Sequence, residues 1–217
     1  ALCVLDCRVL IHRRYFEPGA QQEELMNILP HEIAFDFDGV VADTFRLFVK
    51  IAQSDYNAEF EYEDITDYEF LKVVAMDAGD ALEIITRLTN HPHELDLRPN
   101  QGAADVLLRI ARNTPLLLVT ARPTSEPLEL WFGKNMPQIA PQCINILATG
   151  ENTAKLPVLK EKKISYFVED RLDTCHLLAQ QGITPILFDQ PWNRKPHPYT
   201  VVKSWDDISG LINWNHG

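Results

Sequence analysis

The sequence predicts an α/β fold: a three-layer, doubly wound parallel sheet with a small helical insertion after its first core strand. From Glu32 onward, short apolar runs of strand type alternate with longer amphipathic stretches, the pattern of parallel strands joined by crossover helices. The alternation breaks once, between Thr44 and about Arg98, where only amphipathic material is found. The first apolar run also ends in two carboxylates and a glycine, at the strand end where such sheets carry their sites.

The strand-like runs are Ile33–Phe37, Leu116–Thr120, Ile144–Ala148, Tyr166–Val168, Pro185–Phe188 and Tyr199–Val202. Helical stretches lie between and after them: Gln101–Arg112, Glu126–Lys134, Ala154–Lys162, Leu172–Gln181 and Ser204–Asn213, with Gly182 placed to cap the fourth. Crossovers between parallel strands are right-handed, which gathers the carboxyl ends of the strands along one rim. Within the interruption, Val74, Ala78, Leu82, Ile85 and Leu88 recur at roughly helical spacing, so Val73–Leu88 is expected to bury that face. An insertion directly after the first strand sits above its carboxyl end, as a lid. The chain therefore divides into a core of residues 32–44 and 99–217 and a helical cap of residues 45–98. Residues 1–31 come first. Cys3–Ile11 has strand character, Pro18-Gly19 forms a turn, and Gln21–Leu29 reads as a short helix stopped by Pro30. An added edge strand, a dimer contact and a loose arm all fit this extension, so an oligomer could form through it.

At 217 residues the chain can bury one core domain plus an insert, and 46% hydrophobic with 24% charged residues is an ordinary globular balance. Twenty basic against 31 acidic residues give 20 − 31 = −11. That field argues against binding a nucleic acid polymer or docking on an anionic membrane. It leaves room for a small phosphorylated molecule, since a bound cation and a few local Lys or Arg reverse the sign locally. The cysteines Cys3, Cys7, Cys143 and Cys175 form no Cys-x-x-Cys pair and read as reduced thiols. No apolar run approaches the ~20 residues of a membrane span, and the start lacks the basic segment of a secretory leader. A cytoplasmic location is the expectation, and the missing Met suggests a processed or trimmed start.

The chemistry begins at Ile33-Ala34-Phe35-Asp36-Phe37-Asp38-Gly39-Val40-Val41. Carboxylates at i and i+2 of an extended chain point the same way, so Asp36 and Asp38 would lie side by side. Like charges so placed need a shared proton or a cation, and Mg²⁺, hard and oxygen-seeking, is the usual relief. Two more strand ends carry polar groups: Thr120 after Leu116–Val119, and the pair Glu169-Asp170 after Tyr166–Val168.

In this order the residues resemble the four motifs of the haloacid dehalogenase (HAD) superfamily. Asp36-Phe37-Asp38-Gly39-Val40 resembles the first motif, Asp-x-Asp-Gly-(Val/Thr). Thr120 in Leu116–Pro123 looks like the second, Lys155 in Thr153-Ala154-Lys155-Leu156 like the third, and Glu169-Asp170 like the fourth. Leu97–Ala103 looks like the Pro-x-x-Gly entry by which many of these chains return from a cap to the core. Phe188-Asp189-Gln190-Pro191-Trp192-Asn193-Arg194 looks like the Asp-Gln-Pro-(Trp/Tyr)-Asn segment of the 5′(3′)-deoxyribonucleotidase-like family. There are two departures from that family: Glu169 stands where it usually has Asp, and Ala121-Arg122-Pro123 replaces its usual phosphate loop.

The resemblance implies a Mg²⁺-dependent phosphatase whose helical cap closes over a small phosphorylated metabolite, a nucleoside monophosphate in the leading reading. Asp36 would attack phosphorus and become an aspartyl phosphate. Asp38 would act as general acid and then base, and its backbone carbonyl would hold the metal with the carboxylates of Asp36 and Asp170. Glu169 would act behind those ligands or through water. Gly39, Thr120, Ala121, Arg122 and Lys155 would meet the substrate, with Lys155 and Mg²⁺ screening the approach of one anion to another. A sugar or other metabolite phosphate is the alternative substrate, and a phosphomutase or a non-catalytic binding module the more distant readings. The residues argue against dehalogenation itself, because Asp38 and an acidic metal site serve no purpose in it.

Other residues have plainer readings. Asp43 caps the following helix. Asp173 is either a first-turn acid or a supporting carboxylate. Arg122 is either a surface side chain or a phosphate contact. His91 and His93 belong to a solvated loop. Phe45, Phe48, Tyr56, Tyr62, Tyr68 and Phe70 build the cap's own core, with one or two facing the cleft.

Overall fold

The computed structural model describes residues 26–215. Six parallel strands form one sheet: β1 (Ile33–Phe35), β2 (Leu116–Thr120), β3 (Ile144–Ala148), β4 (Tyr166–Glu169), β5 (Thr184–Phe188) and β6 (Thr200–Val202), in the order β3-β2-β1-β4-β5-β6. Each sequence-predicted strand is present within two residues of its expected ends. Chain order reverses across β1, since β2 lies on one side and β4 on the other. A crevice therefore opens at the carboxyl ends of these strands, where Asp36, Thr120 and Asp170 lie.

The strands separate two apolar layers by alternation. Ile33, Phe35, Leu116, Leu118 and Val168 face the larger layer, built with α3 (Ala103–Ala111), α4 (Glu126–Asn135) and α7 (Trp205–Leu211). Ala34, Leu117, Val119 and Phe167 face the smaller one, with α5 (Lys155–Glu161) and α6 (Leu172–Ala179). Because both faces are covered, β1, β2 and β4 read as continuous apolar runs.

Between β1 and α3 the chain is helical: α1 (Thr44–Tyr56), two single 3₁₀ turns at Tyr62–Asp64 and Phe70–Lys72, and α2 (Ala78–Asn90). Its entry and exit run side by side, with Ala42 bridging Pro99 and Asn100 N–H donating to the Val41 carbonyl at 2.8 Å. The buried face of α2 is Ala81, Ile84 and Leu88, whereas Leu82 and Ile85 are exposed. Of the expected stripe, Val74 and Leu88 are buried, whereas Ala78, Leu82 and Ile85 are not, and Ala81 and Ile84 bury in their place. Val74 is buried ahead of the helix.

Met26–Leu29 is not helical, so the helix expected over Gln21–Leu29 does not reach its end there. Ile28 instead bridges Ile212 and fills the core. The readings of Cys3–Ile11, Pro18-Gly19, Cys3 and Cys7 lie outside the described residues. Cys143 and Cys175 are free thiols. No helix among the described residues is long and apolar enough to cross a membrane.

Candidate active site

The loop after β1 is wound tightly enough to present both carboxylates. Val41 and Ala42 N–H both donate to the Phe37 carbonyl at 2.9 Å, and Gly39 N–H donates to Ala42. Phe37 is fully buried, edge-on to Trp131 at 4.9 Å, and anchors the loop between Asp36 and Asp38. Asn100 Nδ2 and Trp205 Nε1 donate to the Val40 carbonyl at 2.7 and 3.0 Å.

Gly39 has φ +73°, and a Cβ built there would collide with Asp170 Oδ2. Any side chain would both strain the turn and push Asp170 aside. Gly39→Ala is expected to cost about 1–3 kcal/mol from the backbone alone, read as a lowered Tm, and to weaken any cation response that needs Asp170. An unchanged melting curve would contradict the tight approach.

Asp36 is buried. Its Oδ1 accepts the Phe37 N–H at 2.7 Å and its Oδ2 accepts Lys155 Nζ at 2.7 Å. Lys155, at the start of α5, is completely buried and also donates to Glu169 Oε2 at 2.9 Å. The other Glu169 oxygen accepts the backbone N–H groups of Asp170 and Arg171 at 3.1 and 3.0 Å. One ligand oxygen each from Asp36, Glu169 and Asp170 can lie within 4.8 Å of one another.

With one cation for three carboxylates, the group is short of positive charge. Burial, partly offset by Lys155, raises the Asp36 pKa from 3.8 to about 8. Burial, then the charges of Glu169 and Asp36, raise Asp170 well above the ordinary carboxylate range. Glu169 is held low despite its burial, because Lys155 and backbone donors stabilise its charge. Burial disfavours the Lys155 ammonium, but Asp36 and Glu169 outweigh this and keep it charged.

Asp170 Oδ2 is buried without a hydrogen-bond partner. An orphaned carboxylate oxygen in a set of hard oxygen donors fits a divalent cation of the Mg²⁺ kind. Its backbone is fixed by the Asp-Gln-Pro-Trp-Asn segment: Trp192 Nε1 and Asn193 Nδ2 both donate to the Asp170 carbonyl, at 3.2 and 2.8 Å. Gln190 Nε2 donates to the Gly39 carbonyl at 2.6 Å, while its Oε1 accepts the hydroxyl of Tyr62 from the helical insert.

Asp38 stands apart from this trio. Its oxygens accept Arg122 Nε and Nη2 at 2.9 and 2.8 Å, and Thr44 Oγ1 at 2.6 Å. Burial pulls its pKa upward, but the Arg122 guanidinium and Thr44 hold it below the ordinary value. Arg122 is only 6% exposed, so the reading of it as a surface side chain does not hold.

A cavity of about 340 Å³ opens above Asp36 and Asp38. Thr120, Ala121 and Arg122 form its sheet side, and Phe45, Phe48, Tyr68, Phe70, Ile85 and Leu88 its other wall. Gly39, Lys155 and Asp170 are not on the cavity wall. They are buried beside it.

Of the six aromatics expected to build the insert's core, four face the cavity. Tyr62 reaches Gln190 instead, and Tyr56 lies outside the lining. Asn152 and Thr89 also line it, and nothing in the sequence marked them. Asp43 occupies the N-cap position of α1, but its side chain pairs with Arg46 at 3.2 Å and makes no capping bond. Asp173 is exposed in the first turn of α6, which removes the supporting-carboxylate reading. His91 and His93 pair with Glu94 in their loop.

A six-stranded parallel sheet with this carboxylate-lysine cluster at its switch point defines a HAD-superfamily hydrolase, a phosphatase. Residues 30–215 match the family described as 5′ nucleotidase, deoxy (pyrimidine), cytosolic type C protein (NT5C), and the chain belongs to that family. It is 27% identical over 186 residues to BH1399 of Halalkalibacterium halodurans, a protein named provisionally as a nucleotidase, covering 82% of this chain and 90% of that one. In fold it is similar to the haloacid dehalogenase-like hydrolase SP0104 of Streptococcus pneumoniae, with TM-score 0.56, 12% identity and coverage of 82% of this chain and 96% of the other. It is also similar to CbbY of Rhodobacter sphaeroides, solved with phosphate, at TM-score 0.52, 15% identity and coverage of 82% and 97%.

Proposed function

We propose that this phosphatase is a Mg²⁺-dependent nucleotidase that hydrolyses nucleoside monophosphates through an aspartyl phosphate on Asp36. The observation that carries the reading is the cavity itself. Two carboxylates and a hydroxyl lie on one side, and four aromatic rings with two aliphatic side chains form the other. A phosphate at the sheet side leaves a flat, weakly polar base to the aromatic wall. Membership of a nucleotidase family supports the same substrate class. Residues 45–98 act as the cap in this reading, and residues 32–44 and 99–217 as the core.

The chain's own groups perform the steps in order. Asp38, ionised in the free protein, takes up a proton as the anionic phosphate binds beside it. Asp36 Oδ then attacks phosphorus in line with the ester oxygen, the P–O bond to the nucleoside breaks, and Asp38 delivers that proton to the leaving oxygen. Water then attacks the phosphorus of the aspartyl phosphate, Asp38 takes up its proton, and inorganic phosphate leaves with Asp36 restored. Thr120 and Ala121 hold the phosphoryl oxygens, Gly39 shapes the turn beside them without reaching the cavity, and Lys155 orients Asp36 and offsets part of its burial. Asp36, Asp170 and the Asp38 backbone carbonyl would hold Mg²⁺, with Glu169 orienting them from behind. The cation supplies charge screening for the approach of one anion to another.

Phosphate release from nucleoside 5′- and 3′-monophosphates and from sugar phosphates, with and without Mg²⁺, tests the reading. Nucleotide-selective, Mg²⁺-dependent release is expected. Preference for a sugar phosphate would overturn the substrate class and leave the chemistry standing.

The same cluster sets the pH response. Asp36 has an ordinary pKa of 3.8 and a folded one of about 8. Between these values the folded form keeps a proton that the unfolded form has lost, so stability falls as pH rises. In chelator, Tm is expected to decline from pH 5 to pH 8. Mg²⁺ competes with that proton and should stabilise the fold most at the alkaline end, by about 2.7 kcal/mol at a hundredfold excess over Kd, read as a higher Tm. Asp170→Asn should erase the lift. A Mg²⁺ response unchanged in that variant would remove Asp170 from the site.

A further inference from the structure

Arg122 spends four of its five N–H donors within the protein. Nε and Nη2 grip both oxygens of Asp38, and Nη1 donates to the carbonyls of Leu88 and Thr89, at 2.9 Å each, in the last turn of α2. Those carbonyls have no partner within their own helix and carry the negative end of its dipole, so a buried guanidinium suits them. The plane is further seated over Phe37, its centre 5.1 Å from the ring centroid. Gly150 N–H donates to the Arg122 carbonyl at 3.1 Å, and Arg122 N–H donates to Thr120 Oγ1 at 3.3 Å, so the base of the side chain is fixed to the sheet.

Leu88 and Thr89 themselves line the cavity, opposite Thr120 and Ala121. Whatever fills the aromatic side touches the residues whose carbonyls Arg122 holds. We infer that Arg122 is a positioning residue that couples occupancy of the aromatic side of the cavity to the placement of Asp38. The fork that aims the proton-transfer carboxylate is referenced to α2 and not to the sheet alone. A lysine cannot replace it, because one ammonium cannot hold a carboxylate in two-point contact and cap a helix end together. The inference rests on the reading of Asp38 as the proton-transfer group.

Its signature is a kcat effect that depends on the part of the substrate remote from phosphorus. Wild type, Arg122→Lys and Asp38→Asn would be compared on a nucleoside monophosphate and on ribose 5-phosphate. In wild type the base should raise kcat as well as lower KM. In Arg122→Lys, kcat for the nucleotide should fall by about 10- to 100-fold, the scale of a misplaced reacting group. KM should stay within about threefold, and the kcat advantage over ribose 5-phosphate should vanish.

A second variant approaches from the other side. Asn90→Pro disturbs the last turn of α2 without touching Arg122 or Asp38, and should reproduce the kcat loss. It also stands in if Arg122→Lys fails to fold. Unchanged kcat in these variants would overturn the inference. So would a tenfold rise in KM at constant kcat, which would make Arg122 a phosphate contact. Asp38→Asn separates the two levels: if it retains wild-type turnover, the reading of Asp38 fails, whatever Arg122 does.

Discussion

Asp36→Asn is expected to lower phosphate release by about 10⁴-fold or more, the scale on which removal of a covalent nucleophile acts. The substitution is nearly isosteric. Its retained carbonyl oxygen can still accept the Phe37 N–H, which donates to Oδ1 at 2.7 Å. What is lost is the carboxyl oxygen held 2.7 Å from Lys155 Nζ, and with it the nucleophile beside the cavity. An amide does not form a phosphoryl anhydride that water then cleaves. The fold should persist, because the exchange removes one of three crowded buried carboxylates and leaves Glu169 to neutralise Lys155 at 2.9 Å. Wild type quenched during turnover and reduced with borohydride should carry its modification at Asp36, read by mass spectrometry. Retention of more than a tenth of the wild-type rate would remove Asp36 from the nucleophile's place.

Lys155→Met should be the most destabilising single change in the site. Lys155 is completely buried, and its ammonium is the cation shared by Asp36 and Glu169. Methionine fills much of the same space, so little of the cost is cavity. The cost arises from leaving buried carboxylates uncompensated, about 3–5 kcal/mol. In a protein of this size that is a fall in Tm of roughly 6–20 °C. The loss should be smaller at pH 5 than at pH 8, because Asp36, already raised to about 8, can keep its proton at the lower pH. Added Mg²⁺ should restore part of it by supplying charge to the same carboxylates. A variant as stable as wild type at pH 8 would mean that the cluster is balanced by something other than Lys155.

The strands and the carboxylates were legible in the sequence for one physical reason: both are local. A strand buried on both faces must be apolar at every position, so β1, β2 and β4 stand out as runs, and the polar residue that ends each run stands out against them. Asp36, Thr120 and Asp170 were found that way. Lys155 was placed by motif order in a chain where Lys160, Lys162 and Lys163 follow closely, and only burial distinguishes it from them. The insert was less legible. Its α2 is legible as a helix ending in the buried Leu88, but Ala81 and Ile84 bury where Leu82 and Ile85 are expected, since a helix of thirteen residues packed on one side gives a short, ambiguous period.

The parallel α/β sheet, the place of the interruption and the residue types at the strand ends are encoded locally, because strand burial and side-chain alternation act within a few residues. Which partners those residues take follows from packing between distant segments. Arg122 meets Asp38, 84 positions away in sequence, and reaches α2. Gln190 joins Gly39 to Tyr62 across more than a hundred residues on each side. The Asp170 oxygen is left without a partner. Such contacts depend on where distant segments come to lie in the packed structure, and no local periodicity encodes them.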